Sequence, residues 1–214
     1  MEAPVFRPGL HSSLQTVTVI CLGDSTTAGT PLYKSPLEAP PDGEGDERSQ
    51  YAYWLRQWHP DWCVLNRGVN GERSDQIAAR FDRDVLAHAP DVVVIIAGVN
   101  DVHQGFGAEQ VIHHLRAMYD RARAAGLPVV AGTIVPYNTA TPDANARMRE
   151  INAWIAEEAR RDPNLTCADT RAATAAPDDP DRLAASPDGL HPDIDGYRRM
   201  AEALEPAIAG ILTR

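Results

Sequence analysis

Hydrophobic and polar positions divide the chain into alternating blocks with two different periods. Five short strand-like segments stand out: VTVICL from Val17, an unbroken apolar run rich in β-branched residues, CVLNRG at Cys63–Gly68, DVVVIIA at Asp91–Ala97, the clearest of them, PVVAGTI at Pro128–Ile134, and Leu165–Asp169. The unbroken apolar run from Val17 predicts a strand buried on both faces of a parallel sheet, Asp91–Ala97 is too apolar for a sheet edge, and the other three predict further short strands. Between them lie segments with helical spacing. One starts at Tyr51 with Ser49 as a cap and ends before Pro60. Ser74–Leu86 carries Ile77, Phe81 and Val85 on one face, and Ala108–Ala125 carries Val111, Leu115, Met118 and Ala122. Gly126 stands at the position where a left-handed residue commonly ends a helix. Two more helices are predicted over Asp143–Arg161 and Asp195–Leu212. Strands and helices therefore alternate, which predicts an α/β fold: a three-layer α/β/α sandwich, flavodoxin-like, with a central parallel sheet of about five strands. Right-handed crossovers leave few topologies, and the strand order 2-1-3-4-5 is expected.

Two segments follow neither period. Residues 31–48, PLYKSPLEAPPDGEGDER, form a loop insertion rich in Pro and acidic residues, either a wall or lid of a pocket or a surface excursion. Thr170–Pro187 reads as a second loop, rich in Pro and Asp. No internal repeat is visible. The 214 residues are expected to form one domain, with residues 1–15 as an N-terminal extension.

Composition narrows the function classes. A net charge of −10 argues against a nucleic-acid or anionic-membrane partner, and the pairs Arg160-Arg161 and Arg198-Arg199 fall in helical patterns as solvated faces. No apolar stretch approaches the roughly 20 residues of a membrane span, and no signal peptide is evident, so a cytoplasmic location is expected unless a leader has been removed. Cys21, Cys63 and Cys167 each fall in or beside a strand pattern and are expected as free, buried thiols. Metal ligation is not indicated. Asp193-Ile194-Asp195-Gly196 starts like a calcium loop but lacks the later ligands, and suits the start of a helix. His113 and His114 have no partner one turn away.

The candidate chemistry lies where strands end. After the first strand comes Gly23-Asp24-Ser25, after the second Gly71, after the third Asn100, and near the C-terminus Asp188 and His191. Parallel strands would bring these breaks to one sheet edge, where open α/β folds bind ligands. A serine hydroxyl needs a base within hydrogen-bond reach, and an imidazole can accept and return its proton near neutral pH. Asp188, three residues before His191, can fix the ring's tautomer. The N–H groups of Ser25 and Gly71, with the Asn100 amide, could stabilise an oxyanion. Taken singly each residue has a structural explanation: Ser25 as a helix cap, Gly71 as a left-handed turn, Asn100 as a cap, His191 as a helix-start residue.

Taken together, GDS at Gly23–Ser25, the lone Gly71, GxND at Gly98–Asp101 and DxxH at Asp188–His191 resemble the four blocks of the SGNH (GDSL-type) hydrolases, in the family's order and over most of the chain. The resemblance implies a flavodoxin-like fold and ester or thioester hydrolysis through an acyl-enzyme, without metal or cofactor. It implies Ser25 as nucleophile, His191 as base, Asp188 as its orienter, and Gly71 and Asn100 beside Ser25 as oxyanion donors. Thr26 stands where the family name has Leu, and the 31–48 insertion is longer than expected. Tyr33, His103, Phe106, Pro136 and Tyr137 fall in loops at the same edge and are candidate pocket walls for a small-molecule ester, with short acyl groups such as acetyl esters of sugars or aryl esters suggested. Thioesterase, lysophospholipase or acyltransferase activity remains open, as does a flavodoxin-like binding protein that cradles a phosphate on the hydroxyl-rich Ser25–Thr30 loop. A catalytically dead scaffold of the same family is a third alternative. Oligomeric state is not legible.

Overall fold

Each predicted strand is present, and all five pair in parallel. The computed structural model describes residues 16–213; the predicted N-terminal extension lies outside them. The sheet strands are β1 (Val17–Gly23), β2 (Trp62–Gly68), β3 (Val92–Ile96), β4 (Val129–Gly132) and β5 (Leu165–Ala168). Their spatial order is 2-1-3-4-5. The register sets Gly23 of β1 beside Gly68 of β2 and Ile96 of β3, so all three strands run out at the same edge.

Side chains alternate across the sheet and divide the core into two layers. On one face Ile20, Leu22, Val93, Ile95, Val129 and Ala131 pack against Ile77, Phe81, Leu115, Met118, Met148 and Ile151. These come from α3 (Ser74–Ala79), α4 (Phe81–Asp84), α6 (Ala108–Ala124) and α7 (Pro142–Arg161). On the other face Val19, Cys21, Val92, Val94 and Val130 pack against Tyr51 and Leu55 of α2 (Tyr51–Trp58) and Tyr197, Met200, Leu204 and Ile208 of α9 (Ile194–Leu212). The result is the predicted α/β/α sandwich. Three shorter helices sit at the strand ends: α1 (Ser25–Ala28), α5 (Val99–His103) and α8 (Thr170–Thr174). Among the described residues no helix is long and apolar enough to cross a membrane.

The departures from the sequence reading are local. Ser49 does not cap α2; Gln50 occupies that backbone position, and the buried Ser49 hydroxyl instead donates to the Gly29 carbonyl at 2.9 Å. The single helix expected over Ser74–Leu86 breaks at Arg80 into α3, α4 and a 3-10 turn at Leu86–His88, although Ile77, Phe81 and Val85 keep their common face. The loop 31–48 contains a small hairpin, Tyr33–Lys34 with Glu44–Gly45, and the loop 170–187 contains α8 and a second hairpin. These elements have two to five residues, too few to display a period. Cys63 is exposed rather than buried, because β2 is an edge strand; Cys21, on the central β1, is fully buried and its thiol is pushed up to about 12 by desolvation. Asp193 caps α9, accepting the Gly196 N–H at 2.8 Å, which is the helix-start role expected of it.

The turn out of β1 is compressed against its neighbours. A Cβ on Gly68 would lie 2.1 Å from the Ala28 nitrogen and 2.6 Å from the Thr27 carbonyl carbon, both backbone atoms that cannot swing aside. Gly68→Ala is therefore expected to destabilise the protein by at least about 2 kcal/mol through overpacking, read as a lower urea midpoint at unchanged m-value. Asp24, at the cap of α1, is fully buried; its Oδ1 accepts the Thr26 N–H at 2.9 Å while Oδ2 has no partner among the described residues. Burial pushes its carboxyl up from 3.8 to about 7, with the Thr26 bond opposing the shift. The folded chain thus holds this proton more tightly than the unfolded one, so Asp24 lowers stability progressively as pH rises between those two values. Asp24→Asn keeps an oxygen for Thr26 and removes the charge. It is expected to raise the melting temperature relative to wild type at pH 8, with the gain shrinking toward pH 5.

Candidate active site

Ser25 sits on the first turn of α1, 3% exposed, with its hydroxyl at the carboxyl edge of the sheet. Asp24 in extended conformation and the left-handed Gly29 bracket this turn. Asn66 of β2 holds it from behind: its amide donates to the carbonyls of Thr27 and Ala28 at 2.9 and 3.2 Å, and its oxygen accepts the Gly68 N–H at 2.9 Å. Of the hydroxyl-rich loop, Ser25 and Thr26 border the cavity described below while Thr27 packs inward. Thr26 and Thr27 are buried, and the Thr27 hydroxyl shares a 3.0 Å hydrogen bond with that of Tyr51.

The segment before α9 brings His191 to Ser25 across 166 positions of sequence, with Nε2 to Oγ at 2.9 Å. Nδ1 of the same ring meets Asp188 Oδ2 at 2.7 Å. Asp188 Oδ1 also accepts the N–H groups of Leu190 and His191, each at 2.9 Å. Partial burial works against the charge on Asp188, but the bond from His191 and these two N–H groups outweigh it and hold the carboxyl below its ordinary value. An ionised carboxylate can only accept, so Nδ1 carries the proton and Nε2 presents its lone pair to the serine O–H. The loop is tied down by Ser186, whose hydroxyl donates to the His191 carbonyl at 2.6 Å and accepts the Gly189 N–H at 2.8 Å. Gly189, at φ +79°, offers its carbonyl to the Asn138 N–H at 2.8 Å, anchoring the loop to the turn after β4.

Gly71 and Asn100 come to the same edge. Gly71 adopts φ +78°, a left-handed conformation costly to other residues, with open space around its α-carbon. Neither the Ser25 nor the Gly71 N–H has a protein acceptor among the described residues. Asn100, on the first turn of α5, donates one amide hydrogen to the Glu72 carbonyl at 2.9 Å, which fixes the plane of the amide and leaves its second hydrogen free. The Gly71 turn is supported from outside by the 31–48 segment: Glu38 accepts the Asn70 N–H at 2.9 Å and the Ser35 hydroxyl donates to the Gly68 carbonyl at 2.6 Å. It is supported from inside by Asp101, which accepts the Ser74 N–H at 2.9 Å and the Ser74 hydroxyl at 2.7 Å. Sequence reasoning assigned no role to these supporting residues. Their signal is weak, because short polar side chains near glycine turns occur in most loops.

A cavity of about 170 Å³ opens beside Ser25 and His191, walled by Val99, Asn100, His103, Tyr137 and Leu190. Of the five suggested wall residues, His103 and Tyr137 line it, their rings edge-on with centroids 5.6 Å apart. The other three do not. Pro136 is buried and does not line the cavity. Phe106 carries the Arg73 guanidinium over its ring at 5.4 Å and lends its carbonyl to Arg147. Tyr33 donates its hydroxyl to the Asp42 carbonyl at 2.6 Å and lines a separate cavity against the edge strand β2, together with Pro36, Asp42 and Gln50. The 31–48 segment thus buttresses the Gly71 turn and contributes no wall to the cavity at Ser25. Val99 and Leu190 are walls that the sequence reading passed over; both are the variable positions inside GxND and DxxH.

Comparison with known proteins bears on the family and the fold. Residues 21–199 match the GDSL-like lipase/acylhydrolase family. An arylesterase of Vibrio mimicus is 30% identical over 123 residues, and the match covers 56% of each chain, little more than half of that relative's length. An acetylxylan esterase of Geobacillus stearothermophilus is 26% identical over 160 residues, covering 65% of this chain and 69% of its own. Among solved structures, a GDSL-like lipase from Bacteroides thetaiotaomicron VPI-5482 superposes with a TM-score of 0.72 at 22% identity, covering 90% of this chain and 88% of that one. At that identity the likeness is one of fold. The family match runs without interruption from β1 into α9 and takes in every residue gathered at this edge, so the chain belongs to the GDSL-like lipase/acylhydrolase family.

Proposed function

We propose that the chain is a serine esterase that hydrolyses carboxylic esters of short acyl groups through an acyl-enzyme. The observation that carries this reading is the continuous hydrogen-bond chain from Ser25 Oγ to His191 Nε2, 2.9 Å, and from His191 Nδ1 to Asp188, 2.7 Å, beside an open cavity. In the proposed reaction the Ser25 oxygen attacks the ester carbonyl carbon while His191 takes the hydroxyl proton. The carbonyl oxygen becomes an oxyanion held by the N–H groups of Ser25 and Gly71 and the free amide hydrogen of Asn100. Collapse expels the alkoxide, which receives the proton from His191. Water then repeats the sequence on the acyl-enzyme: His191 takes its proton, the hydroxide adds, and Ser25 leaves with that proton to give the free acid. Asp188, ionised below the usual carboxylate range, stabilises the imidazolium formed in each half.

Cavity size supports the short acyl group. About 170 Å³ bounded by Val99 and Leu190 accommodates an acetyl or propionyl chain better than a long fatty one. The edge-on pair of His103 and Tyr137 offers a face to an aryl or sugar leaving group. The arylesterase and acetylxylan esterase relatives act, by their names, on esters of these kinds.

Ser25→Ala is expected to lower kcat on p-nitrophenyl acetate by at least about 10⁴-fold and to abolish labelling by an organophosphate, checked by mass spectrometry of the intact protein. Wild-type activity retained in that variant overturns the reading. Asn100→Ala is expected to lower kcat by about 10²–10³-fold with little change in KM, since its donor acts on the oxyanion and not on the ground-state ester. Across p-nitrophenyl esters of increasing length, kcat/KM is expected to be highest for acetyl or propionyl and to fall beyond butyryl. Leu190→Ala should move the optimum toward longer chains, and an optimum at decanoyl in the wild type would count against the short-acyl assignment.

A further inference from the structure

Arg80 carries a guanidinium that is almost fully buried, 6% exposed, and makes four hydrogen bonds, two of them to strand-end carbonyls next to the Ser25 site and two to carboxylates. Nη2 donates to the carbonyl of Gly23, the last residue of β1, at 2.9 Å. Nη1 donates to the carbonyl of Arg67 near the end of β2 at 2.9 Å, and also reaches Asp84 at 2.9 Å. Nε donates to the Glu72 carboxylate at 2.7 Å. Gly23 lies two residues before Ser25, and Glu72 lies directly after Gly71. The Glu72 carbonyl is the atom that accepts the Asn100 amide at 2.9 Å. One planar cation therefore touches the strand end that leads to Ser25, the strand end that leads to Gly71, and the residue that orients Asn100. Its charge is balanced within the cluster, by Glu72 on one side and on the other by Asp84, which Arg83 also holds at 2.7 Å.

The break in the helical pattern at this position has the same origin. A helical residue at 80 with Ile77, Phe81 and Val85 as neighbours on the apolar face would be expected to be small or apolar; instead α3 stops, Arg80 takes φ −101° and ψ 7°, and its side chain turns under the sheet edge. Burying a cation costs stability unless every donor is satisfied. Here the partners are two strand-end carbonyls and two carboxylates. A guanidinium has the rigid fork that can reach both strand ends and Glu72 together; an ammonium on a flexible stem holds fewer of them in fixed geometry.

We propose that Arg80 is a positioning residue of the oxyanion site: it clamps the ends of β1 and β2 and the Glu72 turn so that the N–H groups of Ser25 and Gly71 and the Asn100 amide point at one spot. This deepens the esterase reading and rests on it. Arg80 touches no part of the cavity lining, so its influence passes through Gly23, Arg67 and Glu72.

The test uses Arg80→Lys and, as a milder second variant, Glu72→Gln, which retains the carbonyl bonded to Asn100 and weakens only the link to Arg80. Active sites are counted by stoichiometric labelling with an organophosphate, so that rates refer to folded, reactive protein. For Arg80→Lys, kcat per labelled serine on p-nitrophenyl acetate is expected to fall about 10–100-fold with KM within about twofold, and for Glu72→Gln about 3–10-fold. The affinity for a trifluoromethyl ketone, whose adduct with serine carries a real oxyanion, should weaken by the same factor as kcat/KM. A role in folding alone would lower the melting temperature and leave kcat per labelled serine and inhibitor affinity at wild-type values; that result overturns the proposal. If Arg80→Lys does not fold, Glu72→Gln decides, and wild-type kcat there is equally fatal. Ser25→Ala run alongside separates the two levels. An active Ser25→Ala removes the esterase reading and this proposal together, whereas an inactive one beside unimpaired Arg80→Lys and Glu72→Gln removes only the role of Arg80.

Discussion

The site depends on a steric allowance between strand ends. β1 and β2 finish on glycines that lie side by side, and the first turn of α1 fills the space a side chain on either would occupy. A Cβ on Gly23 would sit 2.2 Å from the Thr27 hydroxyl oxygen and 2.4 Å from the Ile96 carbonyl, and one on Gly68 would press into the backbone of Ala28. Only with both absent can the chain reverse within one residue of the strand and leave Ser25 at the edge instead of a full loop away. Asn66 then locks the turn by meeting two carbonyls that a four-residue helix cannot satisfy internally. Ser25 is thus held by a close-packed backbone, and the approach of His191 needs no further adjustment on the serine side.

That dependence explains which parts of the molecule were legible in the chain. The central strands could be read because a parallel sheet covered on both faces demands uninterrupted apolar runs, and the edge strands because they fall as short segments between turn residues and helical periods. The helices α6, α7 and α9 could be read because each is long enough to repeat its apolar face. The convergence of Ser25, Gly71, Asn100, Asp188 and His191 was legible because every one of them follows a strand or opens the last helix, so topology alone delivers them to one edge. The pocket walls were not. Tyr33 and Phe106 are loop aromatics with the same local signal as Tyr137, and which of them faces the cavity depends on the path of loops with no period. Arg80 was hidden for a related reason: in sequence it is one arginine among many in a helical stretch, and only the positions of the Gly23 and Arg67 carbonyls distinguish it from Arg83 three residues on.

The acidic residues inside the motifs show how architecture and proposed chemistry share the same short segments. Asp24 in GDS and Asp101 in GxND adjoin Ser25 and Asn100, and both are nearly inaccessible to solvent. Each acts on backbone. Asp24 caps α1 through the Thr26 N–H, and Asp101 caps α3 from a distance through the Ser74 N–H. The two differ in how completely they are satisfied. Both oxygens of Asp101 are engaged by Ser74, whose hydroxyl in turn accepts from His114 at 2.9 Å, whereas Asp24 keeps one oxygen without a partner among the described residues.

An unpartnered carboxylate oxygen in a dry environment is costly when charged, and burial accordingly moves the Asp24 carboxyl to about 7. The negative charge of nearby Asp101 acts in the same direction and the positive charge of Arg80 in the opposite one. The Arg80 cation therefore sits between two demands: it must hold the strand ends together, and its field tempers the charge of an acid packed directly behind Ser25. Replacing it with a neutral group would loosen the clamp and also favour the protonated form of Asp24. A geometric and an electrostatic consequence of the same substitution can be told apart by pH, because geometry is lost at every pH whereas the charge on Asp24 matters only above the range in which it is already protonated.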